Sequence, residues 1–109
     1  MSEIIKSVLY TEDDAGKNIL LLKGGEAVIA LVEDHSKNMK WVARETPAGW
    51  VKNDEAKKAI AGSTKTQIRE FRFDVNTTGQ VIFDYLNPWS KDKTPQKTVD
   101  FEITTVDHF

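Results

Sequence analysis

Residues 80–89, QVIFDYLNPW, are the stretch that decides the fold expected for this chain. Val81, Phe83 and Tyr85 recur at every second position, which is the pattern of a strand with one apolar face. Pro88 ends this strand, because proline has no N–H group to donate to a ladder of backbone hydrogen bonds. The stretch therefore predicts a strand that leaves its sheet at a proline.

A second strand is predicted at Lys97–Val106, with Val99, Phe101 and Ile103 on one face. Trp89 thus stands at the start of a polar loop between two paired strands. A tryptophan at this place is either displayed to a partner or packed as a lid over the open end of the core. Residue type alone slightly favours the lid.

The same kind of pattern extends outward from this hairpin. Phe71, Phe73 and Val75 alternate with charged residues, and residues 27–32 are apolar throughout, as in a central strand covered on both faces. Turn-forming residues separate these runs. Together they predict an all-β fold, a two-layer β-sandwich that spans residues 1–109 as one domain and has minimal helix.

Two segments fit this pattern less well. Residues 53–61 are helix-like, with Asn53 as a possible cap, but about two turns make a marginal helix. Ile68 is out of phase with Phe71, which predicts a bulge or a strand start near Arg69. Residues 4–10 are expected to form a short first strand.

Composition limits the classes of function. The net charge of the 109 residues is −2, so the basic surface of a nucleic-acid-binding protein is missing. No cysteine is present, which excludes a disulfide scaffold, a thiol nucleophile and a thiolate zinc site. No apolar run approaches the roughly 20 residues of a membrane span. No signal peptide is visible, so a cytoplasmic location is expected. The chain is also expected to be a monomer that binds neither nucleic acid nor membrane.

Residues that would carry catalysis or hold a metal are sparse. His35 and His108 are the only histidines, and no nucleophile pattern accompanies either of them. The acidic run at 12–14 lacks the spacing of a calcium loop. No enzyme activity, catalytic residue, metal or cofactor is therefore expected. A binding module remains, and in a sandwich the binding surface is usually the loops at one end.

The order of Pro88, Trp89, a polar loop and a last strand resembles the C-terminal third of chagasin-like inhibitors of papain-family cysteine proteases. That family has Arg-Pro-Trp where this chain has Asn87, Pro88 and Trp89. The likeness covers about residues 17–106. It implies an immunoglobulin-like β-sandwich of about seven to eight antiparallel strands, with three loops at one end that enter the protease cleft.

The first family loop reads Asn-Pro-Thr-Thr-Gly, an aromatic residue, one residue, then Trp. Alignment on Trp41 places Asn38 at the glycine position and Met39 at the aromatic position. Asparagine tolerates the left-handed backbone that such a glycine adopts. The family's second loop, Gly-x-Gly-Gly, keeps a single glycine here, Gly62. The sequence Asn-Thr-Thr-Gly at 76–79 resembles the first motif but is expected to be a tight turn at the opposite end.

The resemblance implies a reversible, tight-binding inhibitor that occludes a papain-like cysteine protease and performs no chemistry itself. The implied protease-binding residues are His35, Ser36, Lys37, Asn38, Met39, Gly62, Ser63, Thr64, Asn87, Pro88 and Trp89. Two alternatives stay open from the sequence. One is a non-inhibitory immunoglobulin-like interaction module, and the other is a sandwich with a small-ligand or enzymatic site among acidic residues.

Overall fold

The computed structural model describes residues 7–107, which form eight β-strands. Two single turns of 3-10 helix, Glu12–Asp14 and His35–Lys37, interrupt the strands. The strands are β1 Ser7–Thr11, β2 Asn18–Leu22, β3 Gly25–Asp34, β4 Lys40–Glu45, β5 Trp50–Ala59, β6 Thr66–Val75, β7 Gly79–Leu86 and β8 Lys97–Val106. His108 and residues 4–6 of the expected first strand lie outside the described residues. Within them, no helix is long and apolar enough to cross a membrane.

The strands form two four-stranded sheets, ordered β1-β3-β6-β5 and β2-β8-β7-β4. This confirms the predicted all-β sandwich and the pairing of the hairpin strands β7 and β8. Two edge pairings differ from the expected antiparallel arrangement, because β1 runs parallel to β3 and β2 runs parallel to β8. The chain crosses from one sheet to the other between β1 and β2. Strand β1 is therefore separated from β3 by β2 of the other sheet, and β2 pairs with the last strand of the chain, so neither pair is a hairpin.

The core lies between the sheets and is built from the alternate apolar residues of both inner faces. Phe71 of one sheet packs on Phe83 of the other with ring centroids 4.7 Å apart. Full burial of such a side chain stabilises the fold by roughly 1.5–3 kcal/mol. The buried cluster comprises Tyr10, Leu21, Ala27, Ile29, Leu31, Trp41, Trp50, Phe71, Phe73, Val75, Val81, Phe83, Tyr85, Phe101 and Ile103.

The helix-like interpretation of residues 53–61 is wrong, since most of this segment belongs to β5. Strand β5 pairs with β6 from Trp50 to Ala59, so a long ladder outweighs weak local helix propensity. Cross-strand ion pairs add to this, for example Lys58 Nζ to Glu70 Oε2 at 3.1 Å. A two-turn helix would have had no comparable partner.

The bulge or strand start expected near Arg69 is also absent, because β6 begins at Thr66 and pairs with β3 without interruption to Val75. Ile68 lies on the outer face of its sheet. Arg69 lies on the inner face, in phase with Phe71, and is buried. The phase break in the sequence therefore marks a charged residue in the core layer and not an irregular backbone.

Strand direction fixes which loops share an end of the sandwich. In the β3–β6 pair, Asp34 lies opposite Thr66 at one end, and Gly25 lies opposite Val75 at the other. The loops that adjoin Asp34 and Thr66 therefore share an end. Residues 76–79 follow Val75 and lie at the opposite end, where the Nε1 of Trp50 donates to the carbonyl of Thr77 at 2.8 Å.

Candidate functional site

Three loops meet at one end of the sandwich, called here the loop end: loop 1 (residues 35–39), loop 2 (60–65) and loop 3 (87–96). Loop 1 joins loop 3 through the strand pairing of Lys40 with Leu86. Loop 1 also contacts loop 2, since the N–H of Ser36 donates to the carbonyl of Lys65 at 3.4 Å. The fold thus brings together the three segments that the sequence suggested for binding.

Loop 1 has a defined shape set by its own hydrogen bonds. The carboxylate of Asp34 accepts from the N–H of Ser36 at 3.0 Å, and it also accepts from the Ser36 hydroxyl. These bonds lower the pKa of Asp34, the Ser36 hydroxyl being the largest cause. The N–H of Met39 closes the loop on the carbonyl of Asp34 at 3.2 Å. Asn38 ends the 3-10 turn in the left-handed conformation, with φ 59° and ψ 24°.

The backbone of Asn38 agrees with its assignment to a glycine position. Among residues 7–107 it is the single non-glycine residue with positive φ. Asparagine adopts this region more readily than most residues do. Met39, at the aromatic position of the motif, is half-buried and packs against the core. Loop 1 is therefore anchored on one side by an apolar contact and shaped on the other by a left-handed turn.

A buried ion pair lies directly beneath loop 1. Glu33 is 1% exposed and receives two hydrogen bonds from Arg69, Nε to Oε1 at 2.7 Å and Nη2 to Oε2 at 2.9 Å. Gln67 Nε2 and the backbone N–H of Trp41 also donate to this carboxylate. Arg69 makes a third hydrogen bond, from Nη1 to Oε2 of Glu55, at 2.7 Å. The carboxylate is thus fully bonded, as a buried charge requires.

The charges of this network reinforce one another. Burial raises the pKa of Glu33, but the bonds from Arg69, Gln67 and Trp41 outweigh it, so the pKa lies below the usual value of 4.5. The pKa of Arg69 is raised, chiefly by its hydrogen bond to Glu33 and also by the bond to Glu55. Glu33 is therefore ionised at neutral pH. It joins β3, β4 and β6 at the point where loop 1 begins.

Two aromatic residues complete the base of the loop end. Beyond Ala30, β3 has no strand neighbour on its β1 side. There Trp41 Nε1 donates to the carbonyl of Val32 at 2.8 Å, and the Tyr85 hydroxyl accepts from the N–H of Asp34 at 2.7 Å. The two rings pack on each other with centroids 4.7 Å apart. Side chains from the second sheet thus satisfy backbone groups that a strand would otherwise bond.

Trp89 is held at the surface of loop 3. The side-chain oxygen of Asn87 accepts from the N–H of Trp89 at 2.9 Å, and the N–H of Ser90 bonds the Asn87 carbonyl at 3.2 Å. This turn contains Pro88 at its second position and directs the chain out of the sheet. The Trp89 side chain is 77% exposed. The interpretation of Trp89 as a lid over the core is therefore wrong, since Met39 and Tyr85 close that end instead.

A small groove of about 140 Å³ separates Trp89 from loop 1. Trp89 lines it together with His35 and Asn38 of loop 1. Lys40, Lys57 and the Glu33–Arg69 pair also line it. The exposed ring and loop 1 therefore form one continuous surface.

Loop 2 is shaped by a glycine and by hydroxyl hydrogen bonds. Gly62 has φ +80°, and a Cβ there would meet no atom within 4 Å. This position therefore favours glycine because of its left-handed backbone and not because space is short. The hydroxyls of Ser63 and Thr66 bond each other at 2.6 Å. The N–H of Thr66 also donates to the Ser63 hydroxyl, at 3.1 Å. Thr64 is exposed between them.

A cavity of about 510 Å³ lies at the sandwich edge beside the first 3-10 turn. Its wall mixes apolar residues with Glu12, Glu33 and Asp34. Glu33 is bonded to Arg69, and Glu12 lies 3.7 Å from Lys97 Nζ. These carboxylates are committed to partners within the fold. Within residues 7–107, no group of three or more acidic or histidine side chains is arranged to hold a metal ion.

Each sequence-predicted site residue lies in one of the three loops, and their role in binding stays a prediction. The supporting residues Glu33, Arg69, Gln67 and Glu55 were missed. A signal for three of them was present. Gln67 and Arg69 continue the inner-face alternation of Phe71. Glu33 likewise continues the inner face of β3, two residues beyond Leu31. Two opposite charges in phase with core positions indicate a buried pair.

Comparison with known proteins gives a likeness of structure and none of sequence. No family model and no curated protein matches the chain. The structure of EhICP2, a cysteine protease inhibitor from Entamoeba histolytica, superposes with a TM-score of 0.78 over 92% of this chain and 95% of that one, at 18% identity. The solution structure of amebosin superposes with a TM-score of 0.71 over 90% and 96%, also at 18% identity. At this identity the likeness shows the fold, and it agrees with the resemblance seen in the sequence: the chain has the β-sandwich fold of a known cysteine protease inhibitor.

Proposed function

We propose that this chain is a reversible, tight-binding inhibitor of papain-like cysteine proteases that occludes the protease cleft with its three loops. One observation supports this most strongly. At the loop end of a sandwich that shares its fold with an inhibitor, Trp89 is exposed and fixed beside a shaped loop 1. Exposed tryptophans in preset positions are frequent anchors of protein interfaces.

The architecture suits inhibition by occlusion. Loop 1 is closed by backbone hydrogen bonds and rests on the buried Glu33–Arg69 pair, so little conformational entropy would be lost on docking. In the proposed complex, loop 1 covers the catalytic cysteine of the protease and Trp89 packs beside the cleft. The 3-10 turn of loop 1 holds its peptide bonds in a folded form, which opposes cleavage.

The test is an inhibition assay of the purified chain against a panel of papain-like cysteine proteases, with a serine protease as control. We expect reversible inhibition that is competitive with peptide substrate, with the chain intact after prolonged incubation. Full activity of every cysteine protease at micromolar concentrations of the chain would refute the proposal. In that case a non-inhibitory interaction module would be the better explanation of the exposed loop end.

A further inference from the structure

The three loops and the residues next to them contain more lysines than acidic residues. Six lysines in or beside the three loops have no ion-pair partner among residues 7–107, and they are Lys37, Lys40, Lys57, Lys65, Lys91 and Lys93. The acidic residues within the loops and at their strand junctions are Asp34 and Asp92. The whole chain has a net charge of −2, so the remainder of the molecule is acidic. The three loops therefore carry more lysines than carboxylates in a chain whose net charge is negative.

Two carboxylates, Asp34 and Asp92, offset this charge only in part. Asp34 bonds the backbone and hydroxyl of Ser36, and Asp92 bonds the backbone and hydroxyl of Thr94. Both carboxylates shape their own loops. A further acidic run, the 3-10 turn Glu12–Asp14, borders the loop end on the β1 side, where Glu12 and Asp13 line a cavity with Asp34 and Glu12 lies 3.7 Å from Lys97 Nζ.

The lysines surround the proposed contact surface. Lys40 and Lys57 line the groove beside Trp89, and Lys37 follows His35 and Ser36 in loop 1. Lys65 and Lys91 are exposed in loops 2 and 3. Exposed charges of this kind change association rates and partner choice more than they change the strength of a formed complex.

We infer that the loop end selects papain-like proteases whose cleft is bordered by Asp and Glu residues, and that it steers them electrostatically. This inference rests on the proposed function and adds the kind of protease that is preferred. Charge complementarity accelerates encounter with an acidic rim, and like charge slows encounter with a basic one. The effect is screened by salt, because the Debye length falls from about 10 Å at 0.1 M to about 3 Å at 1 M.

The experiment measures association rate constants by stopped flow for two papain-like proteases, one with an acidic cleft rim and one with a basic rim. Salt is varied from about 20 mM to about 500 mM, a range over which steering is largely screened. For the acidic-rim protease, we expect the rate constant to fall about tenfold or more. For the basic-rim protease, it should stay level or rise.

A matched pair of charge reversals locates the effect. Lys65→Glu changes the loop end, whereas Lys23→Glu makes the same change at the opposite end, where Lys23 is also exposed. At low salt, Lys65→Glu should slow association with the acidic-rim protease about threefold or more, and Lys23→Glu should change it much less.

The outcomes separate the two claims. If the parent chain inhibits the acidic-rim protease at a rate that salt and Lys65→Glu leave unchanged, electrostatic selection is overturned and the inhibitor function stands. If the parent chain inhibits neither protease, the inhibitor function and this inference are both overturned.

Discussion

Trp89 and Trp41 show how position decides the role of the same residue type. Trp41 is 1% exposed, packs against Tyr85 and bonds the backbone of β3. Trp89 is 77% exposed and is held by its backbone alone. The first is part of the frame of the loop end, and the second is displayed on it.

The two tryptophans should therefore respond differently to truncation. Trp89→Ala should change the free energy of unfolding by less than about 1 kcal/mol, as surface substitutions usually do. Trp41→Ala should cost about 3–5 kcal/mol, because it leaves a cavity and an unbonded carbonyl at Val32. Urea unfolding of both variants and the parent measures this contrast. A large loss of stability in Trp89→Ala would contradict its placement at the surface.

Asn38 offers a second test at the residue scale. Its left-handed backbone suits glycine and asparagine, and it strains a β-branched residue by about 1–2 kcal/mol. Asn38→Gly should therefore keep parental stability within about 0.5 kcal/mol, whereas Asn38→Val should lose roughly 1–2 kcal/mol. Thermal or urea unfolding distinguishes the two. Equal stability of the glycine and valine variants would show that the turn is not left-handed in solution.

Strands β3, β4 and β6 depend on one buried carboxylate at the loop end. Glu33→Gln removes the charge that pairs with Arg69, although Arg69 keeps its bond to Glu55. Breaking one side of a buried pair costs about 3 kcal/mol or more at neutral pH. Glu102→Gln, at an exposed position of β8, is the matched control and should cost less than about 0.5 kcal/mol.

The loss of stability caused by Glu33→Gln should depend on pH in one direction. The pKa of Glu33 is lowered by folding, so its contribution is present above the usual pKa of 4.5 and is lost as pH falls through the lower, folded value. The difference in unfolding free energy between the parent and Glu33→Gln should therefore be constant near neutrality and should shrink below pH 4.5. Urea unfolding at a series of pH values measures it. A difference that grew towards acid pH would contradict the ion pair.

At the scale of the whole molecule, the sandwich and the grouping of its loops could be predicted from sequence. Period-2 alternation identified β6, β7 and β8, and antiparallel order then placed the loops at alternate ends. The strand β5 could not be predicted from its own residues, because its stability comes from pairing with β6. The parallel edge strands were missed for a similar reason, since the crossover between sheets has no local signal.

The three loops of the loop end could be predicted from sequence, but the contacts that hold them in place could not. Pro88 and Trp89 marked a loop, but exposure of Trp89 depends on the Asn87 turn and on Met39 closing the core beside it. Glu33 and Arg69 lie 36 positions apart, so the sequence indicates two buried charges of opposite sign but not the hydrogen bonds between them. Long-range pairing of charges is the part of this site that requires a structure.

The central claim is that the loop end blocks the cleft of a papain-like protease. The most direct test is the inhibition constant of one such protease with the parent chain, with Trp89→Ala and with Lys23→Ala at the opposite end. We predict inhibition by the parent, little change for Lys23→Ala, and a constant about thirtyfold or more higher for Trp89→Ala, the equivalent of about 2 kcal/mol of binding. Equal inhibition by all three chains, or none by the parent, would contradict the claim.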